Sequence, residues 1–393
     1  MVSTNEQQYP LTIDDAVKWK YTYWNTKPVP QLNEYIVKQK QIEELSITTY
    51  TVPKTTSSVK FEELDLNDDN ILSQLASFLQ ENNIDKNNNY LRVNYSPSFL
   101  KYILTRTHKY TNVCLLERYS DNSYKIYGFI HACLLKLQIN DHQENVADVQ
   151  FLTVLNTMQH MNIATSLMDE LTHNIQLLGY SIGTFTTMRY IPAPISQINM
   201  YFRPIRLRNL ISSGFVDIEK SELKSGIEYY KITNTKDKRL VRINPSHYDD
   251  AYDCYQEYIT KYCYHEILSK NEFLLRYCNS HISTFVYLDE ACEKPIDLLS
   301  YYVVDCEKTR KIRATFLYLY TSNVVTPLCL LNNLAALSTS EDTDVLFITD
   351  ALENNNIVFG NKYTKIEASH KLYFYNYKCP QLLCSQIYKH IFM

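Results

Sequence analysis

The sequence predicts an α+β protein made of two halves with a similar plan. Its 393 residues, 45% of them hydrophobic, suit two or three domains or one large double domain. Residues 147–187 have the pattern of a strand, a short loop, a helix and a second strand. A comparable order of helices and strands recurs after residue 240, which suggests structural duplication.

These patterns divide the chain into four parts. The polar residues 1–20 are predicted to form a flexible N-terminal arm. Residues 21–215 form the N-terminal half and residues 241–393 the C-terminal half. The charged, turn-rich segment 216–240 is the predicted junction between them.

Composition and charge exclude several classes of protein. The 39 Lys+Arg and 43 Asp+Glu are scattered and give a net charge of −4, which argues against a broad surface for nucleic acid or anionic lipid. With only 6 glycines, the chain has neither a Walker A sequence nor a G-x-G-x-x-G loop. No apolar run approaches the roughly 20 residues that span a bilayer, and the first ten residues do not resemble a signal peptide. The ten cysteines, which lack any C-x-x-C pair, favour reduced thiols, so we expect a monomeric cytoplasmic protein.

The first half begins with an extended segment, because Pro28 and Pro30 both hold the preceding residue away from the helical region. Residues 68–82 are predicted to form an amphipathic helix, with Asp68 or Asp69 as its cap. Its apolar face comprises Ile71, Leu72, Leu75, Phe78 and Leu79. After a polar surface loop at 81–89, strands are predicted at 111–117 and 124–139.

The segment that follows is the most informative one. Residues 147–155 form an apolar, β-prone run, and a helix is predicted from Asn162 to Leu178 with Gly179 as its stop. A strand at 181–187 completes the unit. In the second half we predict helices near 247–263, 269–278 and 328–337, and strands near 282–287, 296–304, 312–320, 344–349 and 371–377.

A strand, loop and helix in this order can bind an extended, phosphorylated ligand. The N-terminus of a helix presents unpaired backbone N–H groups that bind phosphate. If the preceding strand splays from its neighbour, the N–H groups of residues 151–153 face a cleft in which a pantetheine chain can pair as an added strand. The run Gln159 to Ala164 is similar to the acetyltransferase phosphate loop Gln/Arg-x-x-Gly-x-Gly/Ala, with Asn162 in a glycine position that asparagine tolerates. The alternative is an ordinary loop before a core helix.

Five stretches in order along the chain make the acetyltransferase interpretation more specific. Together they resemble the eukaryotic-type glycylpeptide N-myristoyltransferases, a family with a double acetyltransferase-like (GNAT) fold. The stretches are Tyr23–Pro30, Asn94–Leu100, Val149–Val154, Leu299–Tyr302 and Tyr375–Pro380, with Thr326–Leu328 as a further match. The resemblance implies two GNAT-like halves related by a pseudo-two-fold axis, which form one saddle-shaped protein with a mixed sheet.

The resemblance also implies an activity and a mechanism. The protein would transfer myristate from the cosubstrate myristoyl-CoA, held by the N-terminal half, to the N-terminal glycine of substrate proteins and peptides, held mostly by the C-terminal half. The backbone N–H groups of Phe151 and Leu152 would form the oxyanion hole, and the α-carboxylate of Met393 would be the base. The family needs no prosthetic group and no metal.

The resemblance places further residues at the two substrate sites. Acyl-CoA contacts are implied for Thr22, Tyr23, Trp24, Phe151, Leu152, Thr153, Val154, His160, Asn162, Ile163 and Ala164. Peptide contacts are implied for Ile84, Asp85, Tyr95, Gln150, Thr186, Ser300 and Glu367. For the strand residues the alternative is ordinary core packing, for Tyr23 and Trp24 it is packing of the N-terminal segment, and for the groove residues it is structural hydrogen bonding.

Two departures from the family pattern change the expected specificity. Residues 159–162 replace a basic run, so we expect weaker CoA affinity, or compensation by His160 or by a basic residue elsewhere. The segment 83–88 has lost most of an acidic loop, so the preference for basic peptides is altered, with Glu367 keeping part of it. Two alternatives stay open: a protein of the same fold that binds acyl-CoA or lipidated peptides with little or no turnover, and a GNAT acyltransferase that acts on another amine.

Overall fold

The computed structural model describes residues 9–45, 58–82, 91–120, 123–219, 221–358 and 362–392, and only the backbone of His160 and Ala368. The predictions for Ile84, Asp85 and Met393 therefore lie outside the described residues, as does that for the His160 side chain. In these ranges, no helix is both long enough and apolar enough to cross a lipid bilayer.

The described chain forms an alternating series of helices and strands. The helices are α1 Ile13–Lys18, α2 Asp69–Asn82, α3 Pro97–Thr105, α4 Ile163–Leu177, α5 Leu207–Ser212, α6 Leu223–Tyr230, α7 Tyr248–Ile259, α8 Lys270–Tyr277, α9 Pro327–Ser340 and α10 Asn355–Val358. The strands of the first half are β1 Lys40–Gln41, β2 Val59–Glu62, β3 Arg92–Asn94, β4 Lys109–Arg118, β5 Tyr124–Ile139, β6 His142–Val154, β7 Ile182–Thr187 and β8 Ser196–Pro204. The remaining strands are β9 Leu240–Arg242, β10 Tyr264–Glu266, β11 Ser283–Leu288, β12 Pro295–Glu307, β13 Lys311–Tyr320, β14 Val345–Thr349, β15 Thr364–Tyr375, β16 Tyr377–Lys378 and β17 Ile387–Tyr388.

Most predicted elements are confirmed to within a few residues. Helix α2 begins where the capping pattern indicated, because Asp68 Oδ1 accepts hydrogen bonds from the backbone N–H groups of Asn70 and Ile71, at 2.8 and 3.2 Å. The elements that were not predicted include helix α3, strand β8 and several short strands and helices. The segment predicted as a turn-rich junction contains the short helix α6.

Almost all described strands belong to one mixed sheet of 15 strands. Its main path runs β17-β10-β5-β6-β7-β15-β8-β14-β13-β12-β11-β9, with β4 and β2 branching from β5 and β3 pairing with β12. This arrangement confirms the predicted α+β class.

The sheet repeats one plan in both halves. In the first half β6 and β7 are parallel, and α4 connects them. In the second half β13 and β14 are parallel, and α9 connects them. Each parallel pair is continued by a strand from the other half, β15 beside β7 and β8 beside β14, and β8 pairs with β15 between them. The two halves therefore share a single continuous sheet.

The described part of the predicted N-terminal arm contacts the body of the protein. The Tyr190 N–H donates to the Pro10 carbonyl oxygen at 2.7 Å, and Arg189 Nη1 donates to the Tyr9 carbonyl oxygen at 2.8 Å. The Tyr9 ring also stacks on the Tyr21 ring, with 5.9 Å between centroids. Residues 9 and 10 are thus held against the segment that follows β7.

Helix α4 packs closely on the sheet because β5 carries a glycine beneath it. A Cβ atom at Gly128 would lie 2.6 Å from Leu167 Cδ1 and 3.1 Å from Ile163 Cγ2. Both of these α4 side chains are buried, so neither can swing into solvent. The short distance between α4 and the sheet therefore depends on the absence of a side chain at Gly128.

We expect Gly128→Ala to lower the free energy of unfolding by about 1–3 kcal/mol, as overpacked cores usually do. The crowding involves Leu167, so the cost should shrink when Leu167→Ala is also present. Denaturant unfolding of the two single variants and the double variant measures this coupling. Equal costs of Gly128→Ala in both backgrounds would contradict the explanation.

Candidate functional site

The parallel strands β6 and β7 separate near their carboxyl ends. Their pairing runs from Val146 opposite Ile182 to Val149 opposite Phe185. Beyond that point β6 continues to Val154 and β7 to Thr187 without further pairing between them in the described register. The divergence opens a cleft in the sheet at the position where the sequence suggested one.

A β-bulge shapes the wall of this cleft. On the other side of β6, Gln150 pairs with His131 and Thr153 pairs with Phe129, so Phe151 and Leu152 together oppose a single residue of β5. Phe151 has φ +57°, which is rare for a residue other than glycine. Bulges bend a strand and redirect its groups. Here the bulge takes two consecutive peptide units out of the regular ladder where the cleft begins.

The cleft leads into a cavity of about 980 Å³. One wall is formed by apolar side chains of α4, among them Met168, Leu171 and Ile175. The cavity continues past the bulge, where four phenylalanines from both halves line it, Phe202, Phe215, Phe347 and Phe392. The volume suits a long apolar ligand together with part of a second one.

The segment predicted to close over a ligand covers one side of the cavity. The buried Trp24 ring stacks on Phe185 at 5.6 Å, and the Tyr23 hydroxyl donates to Asp169 Oδ1 at 2.6 Å. Lys27 Nζ also lies 2.6 Å from that carboxylate oxygen. Burial and the neighbouring Asp169 raise the pKa of Tyr23, which keeps its hydroxyl protonated as a donor. Thr22, by contrast, is exposed and is not part of the cavity wall.

The loop before α4 contains a residue in the left-handed region. A 3-10 turn, Asn156–Met161, leads to Asn162, which has φ +57° and ψ +19° in the left-handed region. Helix α4 begins at the next residue, Ile163, whose side chain is buried beneath the helix. The helix ends at Leu177, and the predicted stop residue Gly179 follows with φ +85°. Asn162 therefore takes a left-handed conformation, which glycine adopts most readily and asparagine tolerates.

The residues predicted for the peptide site are only partly brought together. Tyr95, Gln150, Thr186 and Glu367 all line the cavity. Ser300 does not, because it is fully buried in β12, where its hydroxyl lies 2.8 Å from the Thr284 hydroxyl. Among the residues predicted for acyl-CoA, Thr153 and Val154 are buried behind the bulge.

A buried network of charges beside the bulge was not predicted. Asp148, which precedes the bulge on β6, accepts from Arg106 Nη2 at 3.0 Å and from Lys389 Nζ at 2.7 Å. Gln150 joins the network, since its Nε2 lies 2.5 Å from Asp148 Oδ2 and its Oε1 accepts from Arg106 Nη1 at 3.2 Å. Burial opposes ionisation of Asp148, but Lys389 and Arg106 outweigh it and lower the pKa of the carboxyl group. The three charged side chains are therefore ionised together inside the protein.

The last described residues run from this network to the cavity. The His390 ring is buried, which lowers its pKa to about 3 and keeps it neutral, and its Nε2 lies 3.0 Å from the Tyr302 hydroxyl. The Phe392 ring packs 5.7 Å from the Tyr318 ring and 5.3 Å from the Arg106 guanidinium. Since Phe392 also lines the cavity, the end of the described chain reaches the same space as the bulge.

The bulge gives a stability prediction at Phe151. Valine tolerates a positive φ poorly, so Phe151→Val should lower the free energy of unfolding by about 1–2 kcal/mol more than Phe151→Gly. Both changes remove the same ring. The matched control is Leu137, buried in the regular part of β5, where Gly should be the worse substitution. Thermal or denaturant unfolding of the four variants compares the stability of Val with that of Gly at each position. The same order of stability at both positions would contradict the role of the bulge.

Comparisons with known proteins agree with this geometry. Two family models match, "Myristoyl-CoA:protein N-myristoyltransferase, N-terminal domain" over residues 35–198 and "Myristoyl-CoA:protein N-myristoyltransferase, C-terminal domain" over residues 213–389. The chain is 25% identical over 388 residues to the glycylpeptide N-tetradecanoyltransferase of Plasmodium falciparum (isolate 3D7), covering 95% of this chain and 94% of that protein. It is 27% identical over 383 residues to the protein of the same name in Drosophila melanogaster, covering 94% of this chain and 80% of that protein.

A solved structure shares the fold over nearly the same length. The crystal structure of Saccharomyces cerevisiae N-myristoyltransferase with bound myristoyl-CoA matches with a TM-score of 0.83 and 18% identity, over 93% of this chain and 94% of that one. This match confirms the predicted fold of two acetyltransferase-like halves. With both of its halves matched in sequence and in the order of the family, the chain belongs to the N-myristoyltransferase family.

Proposed function

We propose that this protein transfers myristate from myristoyl-CoA to the N-terminal glycine of substrate proteins in the cytoplasm. The observation that carries the proposal is the bulge at Phe151 and Leu152, which lies where β6 leaves β7 and faces an apolar cavity that Phe392 also lines. The names of the full-length relatives support the reaction, and the yeast structure with bound myristoyl-CoA supports the cosubstrate.

In this proposal the N-terminal half binds myristoyl-CoA without any prosthetic group. The pantetheine chain pairs with the open edge of β6, and Tyr23 and Trp24 cover it. The CoA phosphates lie at the N-terminus of α4, which follows the left-handed Asn162 and whose first backbone N–H groups have no partner within the helix. Each buried CH₂ is worth about 0.8 kcal/mol, so a tetradecanoyl tail contributes roughly 10 kcal/mol before the costs of association. The affinity for the cosubstrate therefore does not depend on phosphate contacts alone.

The Phe151 and Leu152 N–H groups serve as the oxyanion hole. As the amine attacks, the thioester carbonyl oxygen becomes negative, and donors fixed in advance stabilise that charge at no cost of reorganisation. A backbone role leaves both side chains free to pack, and the Phe151 ring lies edge-on to Tyr95 at 6.2 Å. The positive φ of Phe151 is thus the strained feature that the site requires.

The proposed base is the carboxylate carried by Met393. A terminal carboxylate has a pKa of about 3.5 and a peptide α-amine one near 8, so at pH 7 the carboxylate is ionised and the amine is mostly protonated. The carboxylate takes one proton from the ammonium group, and the nitrogen then forms a bond to the thioester carbon. Collapse of the tetrahedral intermediate breaks the C–S bond, and the second nitrogen proton passes to the CoA thiolate. Phe392, one residue earlier, lines the cavity and supports this placement.

The peptide would lie in the part of the cavity formed mostly by the C-terminal half. Tyr95, Gln150, Thr186 and Glu367 are the proposed contacts there. The charged residues that line the cavity are balanced among the described residues, with Arg92 and Lys308 against Glu307 and Glu367. The described lining therefore adds no net charge of its own to attract basic peptides.

The central test is turnover of a peptide that begins with glycine. Purified protein, myristoyl-CoA and such a peptide should release free CoA and yield an N-acylated product visible by mass spectrometry. The N-acetylated peptide and the alanine-first peptide should give none. Tight binding of myristoyl-CoA without any product would instead identify an acyl-CoA-binding protein, the alternative favoured by the loss of the basic run at residues 159–162.

The proposed base gives a separate prediction. One alanine added after Met393 moves the carboxylate by up to about 3.5 Å, and we expect kcat to fall by a factor on the order of 10² or more. The KM for myristoyl-CoA should change little, because the acyl-CoA contacts lie on other elements. An added residue that leaves kcat unchanged would exclude this carboxylate as the base.

A further inference from the structure

We infer that Lys389 is a positioning residue, which fixes the end of the chain relative to the bulge by pairing with Asp148. The inference rests on the proposed function, because it concerns the base of that reaction. Lys389 and Arg106 both pair with Asp148, and no sequence pattern predicted these contacts.

The segment that carries Lys389 is held in the second half of the protein. Strands β13 and β14 pair only from Ala314 opposite Val345 to Phe316 opposite Phe347, although both continue further. Residues 388–390 and Phe392 lie where these strands diverge, and with residues 317–319 of β13 they line a small cavity of about 40 Å³. The Tyr388 hydroxyl donates a hydrogen bond to the Tyr320 carbonyl oxygen at 3.2 Å. The last described residues thus occupy the gap between β13 and β14, whereas the gap between β6 and β7 opens into the large cavity.

Lys389 connects this segment to the first half. Its ammonium group lies 2.7 Å from Asp148 Oδ1 on β6, and the bulge begins three residues later at Phe151. Lys389 itself is four residues from Met393. One buried ion pair therefore joins the strand that holds the proposed oxyanion hole to the segment that holds the proposed base.

The charges around this ion pair are unequal. The cluster contains three buried cations, Arg106, Arg276 and Lys389, but only two carboxylates in the described chain, Asp148 and Glu266. Arg276 pairs with Glu266, and Arg106 shares Asp148 with Lys389. A buried excess of positive charge favours an additional anion nearby. Phe392, the last described residue, lies with its ring over one of these cations, Arg106.

This arrangement makes Lys389 testable without loss of the fold. In Lys389→Met, Asp148 keeps its ion pair with Arg106, so no carboxylate is left buried without a partner, and methionine retains most of the apolar stem. Lys389→Arg keeps the charge. The matched control is Lys378→Met. Lys378 lies on the same C-terminal stretch as Lys389, but it forms its ion pair, at 2.6 Å, with Glu34, away from the bulge.

The first measurement compares kcat with the KM for myristoyl-CoA. We expect Lys389→Met to lower kcat by a factor on the order of 10², the usual consequence of a misplacement near 1 Å, with little change in this KM. Lys389→Arg should recover most of the loss, and Lys378→Met should behave as the unmodified chain. A kcat for Lys389→Met equal to that of the unmodified chain, or a loss that Lys378→Met shares, would overturn the inference.

The second measurement follows the end of the chain directly. Carboxypeptidase should release Met393 and Phe392 faster from Lys389→Met than from the unmodified chain or from Lys378→Met. In the chain extended by one alanine, Lys389→Met should cause little additional loss of kcat, because both changes act through the same carboxylate. Fully additive losses would overturn the inference. Faster release combined with normal turnover in the extended chain would show that the segment is held by Lys389 but that the proposed base is wrong.

Discussion

The buried contact of Asp148 with Arg106 and Lys389 is the constraint on which the geometry of the site depends. Removing charges from water is costly, and this cost is repaid only when each charge has well-placed partners. Asp148 meets that condition through two cations and Gln150. Because these groups come from the residue that follows α3, from β6 and from the last described segment, they fix three distant parts of the sequence relative to one another. The cavity, the bulge and the chain end meet at this point.

Elements with long periodic patterns were predictable from the sequence. Helices α2 and α4 and strand β5 were identified because a continuous apolar face extends over at least nine residues. Helix α3 and strand β8 were missed although signals were present. Ser96 caps α3 and Pro97 occupies its first turn, and Ile198, Met200 and Phe202 alternate along β8. In both cases the pattern is short, and neighbouring prolines made the segments resemble loops.

The site was predictable where it depends on local sequence and not where it depends on distant pairs. The left-handed Asn162 follows from a local motif and the known tolerance of asparagine. No local pattern reveals that Asp148 pairs with Arg106, which lies 42 positions before it, and with Lys389, which lies 241 positions after it. The residues assigned to the peptide groove share this limit, because whether a strand residue such as Ser300 faces the cavity or the core depends on the register of β12 in the sheet.

The exchange of β8 and β15 between the halves has a consequence for how this protein can be divided. Each half lends one strand to the other, so a fragment comprising only the first half would lose the neighbour of β7 and retain β8 without β14. Unpaired strand edges of this kind recruit other chains. The two similar halves are therefore not interchangeable modules, because each one completes the sheet of the other.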